Sequence, residues 1–111
     1  AAGIILIAPP LFEMETDSVI QTRVVDGKTT PAIADQTLTL LGAAPILIAS
    51  HPQMRQRARA IARQFQQRKV YDATYAALAE LRGCEFWTAD KIFHDAVKSA
   101  LTFVKYLPDY Q

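Results

Sequence analysis

Two aspartates in the C-terminal half of the chain stand where a metal-dependent site would need them. Asp72 opens the Ala-rich segment Tyr71–Leu81, whose composition predicts a helix. Asp90 follows the short apolar run Cys84–Trp87, which predicts a strand. In a parallel α/β sheet, ligands gather at the carboxyl ends of the strands, and carboxylate oxygens are the ligands that Mg²⁺ and Mn²⁺ prefer. The two residues therefore indicate divalent-metal chemistry.

A capping role is the alternative for both aspartates, because acids at helix starts commonly accept backbone N–H groups and do nothing else. Two neighbouring residues share this ambiguity. Thr88 could hydrogen-bond a metal ligand or a phosphate, or only form the turn before Asp90. Asp95 lies five residues after Asp90, about one and a half helical turns later, where it could act through water or simply face solvent.

A row of arginines is the second feature that could bind a ligand. Arg55, Arg59 and Arg63 fall at i, i+4 and i+8 of a helix predicted over residues 53–67, and no acid occurs between Gln53 and Val70. Such a basic ridge can hold an RNA backbone through counterion release. It could equally bind an acidic protein segment or be an ordinary solvated face.

The composition limits the classes of protein. The chain has 111 residues, enough for one domain, and a net charge of only +1, so any contact with nucleic acid requires a local patch. A single cysteine, Cys84, excludes an internal disulfide and predicts a reducing, cytoplasmic location. The longest apolar run, residues 38–49, is too short and too interrupted to span a bilayer, so we expect no membrane partner. Phosphate-loop, serine-hydrolase and zinc motifs are absent from the sequence.

Short apolar runs alternate with helical patterns along the chain. Strands are predicted at residues 4–8, 45–49, 84–87 and 101–107, and helices at 11–25, 31–42, 53–67, 71–81 and 92–99. The first two strands have the continuous apolar character of buried strands, and Cys84 is predicted to lie in the core. This alternation predicts a single α/β domain with a parallel sheet covered by helices.

Two motifs are similar to those of a known family. YDATYAALAE at residues 71–80, followed by Gly83 and by TADKIF at 88–93, resembles the C-terminal half of PIN-domain proteins. Within them it is most similar to the VapC-type toxin ribonucleases of bacterial toxin–antitoxin pairs. The upstream piece IAPPL at residues 7–11, with Glu15 in the helix that follows, is similar to the second strand and second acidic position of the family.

The resemblance implies a fold, an activity and partners. The fold would be a three-layer α/β/α sandwich with a mainly parallel sheet. Glu15, Asp72 and Asp90 would bind Mg²⁺ or Mn²⁺ in an endoribonuclease, with Glu13 as the fallback for Glu15. The partners would be RNA, a second copy in a homodimer, and a small antitoxin whose Arg or Lys pairs with the carboxylates.

The chain departs from the family at its start. PIN domains open with a strand that ends in an acid and lies in the middle of the sheet, and no acid before Glu13 matches that position. We therefore expect the native polypeptide to begin upstream, or a neighbouring chain to supply the strand. The alternative is a degenerate PIN-like module that binds RNA or protein without cutting. A response-regulator-like domain is disfavoured, because residues 7–10 contain no acid pair after the first strand.

Overall fold

The computed structural model describes residues 4–110 and has a mixed α/β architecture. Within this range the helices are α1 (Leu11–Val25), α2 (Pro31–Gly42), α3 (Met54–Gln64), α4 (Tyr71–Arg82) and α5 (Lys91–Val97). The strands are β1 (Leu6–Ala8), β2 (Ile46–Ile48), β3 (Phe86–Thr88) and β4 (Val104–Tyr106), and a 3₁₀ turn spans Leu107–Asp109. The chain forms two compact units, one ending at Ala49 and the other beginning at Ser50. The predicted alternation of helices with parallel strands is confirmed.

The first unit is built from β1, α1, α2 and β2. The two strands pair in parallel, with Leu6 opposite Ile46 and Ala8 opposite Ile48. Helix α2 begins where the sequence predicts, because the Thr30 side chain accepts a hydrogen bond from the Ile33 N–H at 3.2 Å and Pro31 occupies the first helical position. Local signals in the sequence therefore determine where α2 starts.

The prediction that the first two strands are buried is wrong. Leu6 is 52% exposed, Leu47 58% and Ile48 43%. In the described part of this unit, burial is complete only at Ala8, Pro9 and Ala34. Parallel strands usually have helices on both faces, whereas each strand here has only three residues and the unit contains only two helices among residues 4–49.

The second unit contains the larger core. Helix α3 buries Met54, Ala58, Ile61 and Ala62, the apolar positions that the helical spacing predicts. Helix α4 packs against α3 and buries a row of small side chains: Ala73, Ala76, Ala77 and Ala79. Small side chains allow the two helix backbones to approach closely, so the Ala-rich composition of α4 follows from this packing.

The second parallel pair, β3 and β4, has Phe86 opposite Val104 and Thr88 opposite Tyr106. Aromatic packing ties the strands to the helices: the Phe86 ring lies 5.5 Å from that of Tyr75 on α4 and 6.3 Å from that of Phe93 on α5. Phe93 is only 1% exposed. The core of this unit therefore extends from the α3–α4 interface to the space between the strand pair and α5.

The prediction that Cys84 is a core residue is also wrong. Helix α4 ends at Gly83, whose φ of 70° lies in the left-handed region, and the Cys84 N–H donates to Ala79 O at 2.9 Å. Cys84 thus belongs to the helix end and is exposed, and β3 begins two residues later than predicted, at Phe86. An apolar run cannot show by itself where the helix end stops and the strand begins.

Candidate functional site

Asp72 and Asp90 lie at the same end of the second unit. A three-residue connection joins α4 to β3, and Tyr75 of α4 stacks on Phe86 of β3. The helix and the strand must therefore run in opposite directions. This places the first turn of α4, with the half-buried Asp72, at the end where β3 stops and Asp90 follows.

Asp90 has a defined capping role. One of its carboxylate oxygens accepts the Phe93 N–H at 3.0 Å and so caps α5. Its own N–H donates to the Thr88 hydroxyl at 3.0 Å, and Thr88 is only 5% exposed. Thr88 therefore fixes the turn that presents Asp90. A carboxylate has two oxygens and several acceptor positions, so capping is compatible with binding a ligand.

Asp72 occupies a favourable electrostatic position. It is in the first turn of α4, where the partial positive charge of the helix N-terminus stabilises an acid by about 0.3–1 kcal/mol. The N-terminal residue, Val70, provides no side-chain cap. The helix start is therefore a favourable position for a carboxylate.

Glu15 and Glu13 belong to the first unit. Glu15 is half-buried on α1, and Glu13 is exposed in the first turn of the same helix. Across residues 4–110, no group of three or more His, Cys, Asp or Glu side chains is arranged to hold a metal ion. Oxygen ligands suit Mg²⁺ or Mn²⁺, and Glu13 and Glu15 supply carboxylates in the first unit, as Asp72 and Asp90 do in the second.

Asp95 is held by neighbouring cations on the exposed face of α5. Its carboxylate contacts Lys91 Nζ at 2.8 Å and Lys98 Nζ at 3.5 Å, and His94 Nδ1 lies 3.7 Å away. The hydrogen bond from Lys91 is the main reason why the pKa of Asp95 lies below its usual value. The side chain is therefore an ion-paired surface acid in this structure.

The arginines of α3 divide into two kinds. Arg55, Arg59 and Arg63 are exposed, and within residues 4–110 they have no ion-pair partner. Arg57 instead forms a bidentate pair with Glu80 of α4, at 2.5 and 3.0 Å. That hydrogen-bonded pair raises the pKa of Arg57 above its usual value. Arg57 thus joins the two helices, and the other three arginines form the predicted basic ridge.

One contact near the turn of Asp90 was not predicted from the sequence. Tyr106 stands opposite Thr88 in the β3–β4 register. Its ring stacks on that of His94, with centroids 5.5 Å apart and planes inclined by 24°. The pairing depends on a strand register between distant segments, which a sequence pattern does not specify. The only sequence feature that placed His94 near Asp90 was its position four residues later on a predicted helix.

The comparisons with known proteins add no relative. No protein-family model, curated protein or solved structure matches the chain. Within residues 4–110 no helix has both the length and the apolar character needed to cross a bilayer. The PIN resemblance therefore stays a prediction that rests on the residues of the chain itself.

Proposed function

We propose that this chain is a PIN-like domain of the VapC type and that its activity is metal-dependent endoribonuclease cleavage. The observation that carries the proposal is the placement of Asp72 and Asp90 at one end of the second unit. The resemblance to PIN domains implies that these two acids and Glu15 are the metal ligands. The finer fold, a single domain with a three-layer α/β/α sandwich and a mainly parallel sheet, belongs to the same proposal.

The order of elements supports the family assignment. Both strand pairs are parallel, and helices separate the two strands of each pair, as in the α/β class to which PIN domains belong. The motif residues also have definite local roles. Asp72 lies in the first turn of α4, Gly83 closes that helix, and Asp90 begins α5 directly after β3.

The basic ridge supports RNA as the substrate. Successive members of the ridge Arg55, Arg59 and Arg63 are four residues apart, which is about 6 Å along a helix. Their exposure and their lack of ion-pair partners within residues 4–110 leave the guanidinium groups available for phosphates. Neutralising the backbone of a nucleic acid with arginines releases counterions and favours binding.

Mg²⁺ or Mn²⁺ enters the proposal through the family resemblance. A bound divalent ion would polarise the phosphate and supply an activated water. The resemblance assigns the ion to Glu15, Asp72 and Asp90. The contribution of the chain itself is to hold Asp90 in place through Thr88 and to position Asp72 in the first turn of α4.

One observation favours a second candidate function. The carboxylate of Asp90 is already engaged as the cap of α5, as it would be in a degenerate PIN-like module that binds RNA or protein without cutting. In that protein Asp90 would serve only as the cap of α5. The two functions differ in whether bound RNA is cleaved, not in whether it binds.

The same proposal includes two protein partners. A small antitoxin could place an Arg or Lys against Asp72 and Asp90, since charge-assisted hydrogen bonds to carboxylates are strong. A homodimer is the second expected assembly. Both partners follow from the VapC resemblance, and both can be tested by mixing experiments and by sedimentation of the purified chain.

The decisive experiment is a cleavage assay with matched variants. Fluorescent single-stranded RNA is incubated with Mn²⁺ and the parent chain, with Asp72→Asn or Asp90→Asn, and with a chelator. Glu85→Gln is the control, because Glu85 is an exposed acid of the same unit and directly precedes β3, at the opposite end of that strand from Asp90. We expect cleavage by the parent and the control only, and RNA binding by all four proteins.

Each result has a distinct meaning. Cleavage that persists in Asp90→Asn or Asp72→Asn contradicts the site assignment. RNA binding without cleavage by the parent favours the degenerate module. Absence of both RNA binding and cleavage contradicts the RNA proposal as a whole, provided that circular dichroism shows a folded chain.

A further inference from the structure

A cavity at the turn between α1 and α2 lies outside the proposed nuclease site. It has a volume of about 560 Å³, within the range of about 300–1,000 Å³ that is usual for small-molecule sites. Its lining combines two cations, Arg23 and Lys28, with three threonines and two isoleucines, and it contains no acid. This composition suits an anion that also carries an apolar part.

The end of α1 brings the two cations together. The Gly27 N–H donates to Val24 O at 3.1 Å, and Gly27 has a φ of 72°. The Lys28 N–H donates to Arg23 O at 2.9 Å. These are the two hydrogen bonds of a Schellman motif, in which the side chains at the positions of Arg23 and Lys28 are frequently apolar and in contact. Here both positions carry a positive charge, which an anion between them would stabilise.

No neighbouring acid neutralises these cations. Arg23 and Lys28 are exposed, and neither has an ion-pair partner in the part of the chain that the structure describes. Asp26, which lies between them in the sequence, does not line the cavity. The helix dipole alone can explain basic residues at the end of α1, but it does not explain a cavity beside them. Their charges are therefore available to a ligand.

The turn and the start of α2 add hydroxyl groups and apolar surface. The Thr30 hydroxyl oxygen accepts the Ile33 N–H at 3.2 Å, which leaves its own proton for another acceptor. Thr29 is half-buried, and its hydroxyl makes no hydrogen bond within residues 4–110. Ile33 is 53% exposed and lines the cavity together with Ile20 of α1. Donors and apolar surface therefore adjoin the two cations.

The charges indicate which anion fits. A phosphate monoester carries a charge of about −1.5 to −2 at neutral pH, which two adjacent cations match. A phosphate in the backbone of RNA carries only a single charge, so RNA matches the cavity less well. Arginine recognises phosphate through two parallel hydrogen bonds, and lysine contributes a point charge.

We propose that the cavity between α1 and α2 binds a small organic phosphate monoester. Arg23 and Lys28 pair with its phosphate, and the hydroxyl groups of Thr29 and Thr30 donate to it. The organic part of the ligand packs against Ile33. This binding is independent of RNA cleavage and needs none of the acids of the proposed nuclease site.

Titration of the isotope-labelled full chain with phenyl phosphate tests the proposal. Heteronuclear NMR at constant ionic strength locates the affected amides and gives the Kd. Methyl phenyl phosphate, a diester with a single charge, and inorganic phosphate, which has no ring, are the comparison ligands. Arg23→Gln and Lys28→Gln each remove one charge. Arg68→Gln is their control, because Arg68 is an exposed arginine of the second unit.

A second pair of variants tests the apolar wall. Ile33→Ala shortens a side chain that lines the cavity. Leu40→Ala is its control, because Leu40 is an exposed residue of the same helix outside the cavity. Circular dichroism shows whether each variant is folded.

The expected result has three parts. Phenyl phosphate shifts the amides of residues 27–30 and binds at least about tenfold more tightly than the diester, because charge-assisted hydrogen bonds dominate. Each glutamine variant weakens its binding at least about fivefold, since each removes such a bond. Ile33→Ala weakens phenyl phosphate about threefold and leaves inorganic phosphate unchanged, because only the ring buries apolar surface. Both controls bind like the parent.

Several outcomes overturn the proposal. Equal affinities for phenyl phosphate and the diester would show that the cavity does not select a monoester. An equal loss of affinity in Arg68→Gln would assign binding to net charge. Shifts confined to amides of the second unit would place the phosphate elsewhere. Displacement of phenyl phosphate by a short single-stranded RNA would identify RNA as the occupant. Absence of any shift in a folded chain would show that the cavity binds no phosphate.

Discussion

Asp90 shows how one side chain can combine a structural and a chemical role. Its carboxylate caps α5 through the Phe93 N–H, and its backbone is held by the buried Thr88. The cap explains the presence of an acid at this position without any chemistry. A variant that preserves the cap and removes the charge therefore separates the two roles, and asparagine is that variant, since Asn and Asp cap helices about equally well.

We expect Asp90→Asn and Asp90→Ala to differ in stability and to agree in activity. Asp90→Asn should leave the free energy of unfolding within a few tenths of a kcal/mol of the parent. Asp90→Ala should lose about 1 kcal/mol, because the Phe93 N–H loses its acceptor. Urea unfolding measures both values, and the RNA cleavage assay should show no activity in either variant. RNA cleavage by the Asp90→Asn protein would show that Asp90 serves only as the cap of α5.

At the level of the elements, α4 and α2 each have a glycine at the C-terminal end, and the two glycines can be compared directly. Gly83 has a φ of 70°, and Gly42 is the last residue of α2. An added Cβ meets no atom within 4 Å at either position. Only the backbone conformation therefore distinguishes the two substitutions to alanine.

We expect the two substitutions to have opposite signs. Gly83→Ala should cost about 1–2 kcal/mol, because alanine is strained in the left-handed region. Gly42→Ala should stabilise the chain by about 0.4–1 kcal/mol, because alanine restricts the unfolded chain at a position that it can occupy without strain. Chemical denaturation followed by circular dichroism measures both. Destabilisation by Gly42→Ala would show that its environment is tighter than the structure indicates.

The basic ridge of α3 also makes a prediction at the element scale. Replacing Arg55, Arg59 and Arg63 by alanine should weaken RNA binding and flatten its salt dependence. For a single strand, each lost phosphate contact should reduce the slope of log K against log salt by about 0.7, or about 2 for all three.

The control for the ridge removes the same charge elsewhere. Arg23, Lys28 and Arg68 are exposed and lie outside the ridge, so their triple alanine variant should keep most of the slope. Fluorescence anisotropy over a range of salt concentrations measures both proteins. Equal slopes of log K against log salt in the two triple variants would show that net charge alone causes the effect. The ridge would then be an ordinary solvated face of α3.

The elements also show which parts of the fold can be read from the sequence. Local signals located two helices: α2 begins at Pro31, at the first residue of the predicted range 31–42, and α4 ends just before Gly83, one residue beyond the predicted end at Leu81. The burial of the first two strands was predicted wrongly, because it depends on which elements cover a strand. The position of Cys84 was predicted wrongly, because it depends on where the turn after α4 ends. At the site, the order of β3 and Asp90 was predictable, whereas the approach of Tyr106 to Thr88 required a register between distant segments.

At the scale of the whole molecule, apolar burial is distributed unevenly. Of the sixteen large apolar side chains that are exposed among the described residues, eleven belong to the first unit. The second unit has thirteen buried apolar side chains, with Phe93, Ile61 and Leu78 among the largest. Local stability follows buried apolar contacts, so the two units should open with different free energies.

Hydrogen exchange compares the two units through a matched pair of helices. Helices α2 and α4 both contain twelve residues, but α2 buries one side chain, Ala34, and α4 buries five. We expect the amides of α4 to be at least about 100-fold more protected than those of α2 after correction for intrinsic rates, because a difference of about 2.8 kcal/mol in opening free energy corresponds to that factor. Equal protection would show that α2 opens only when the whole chain unfolds.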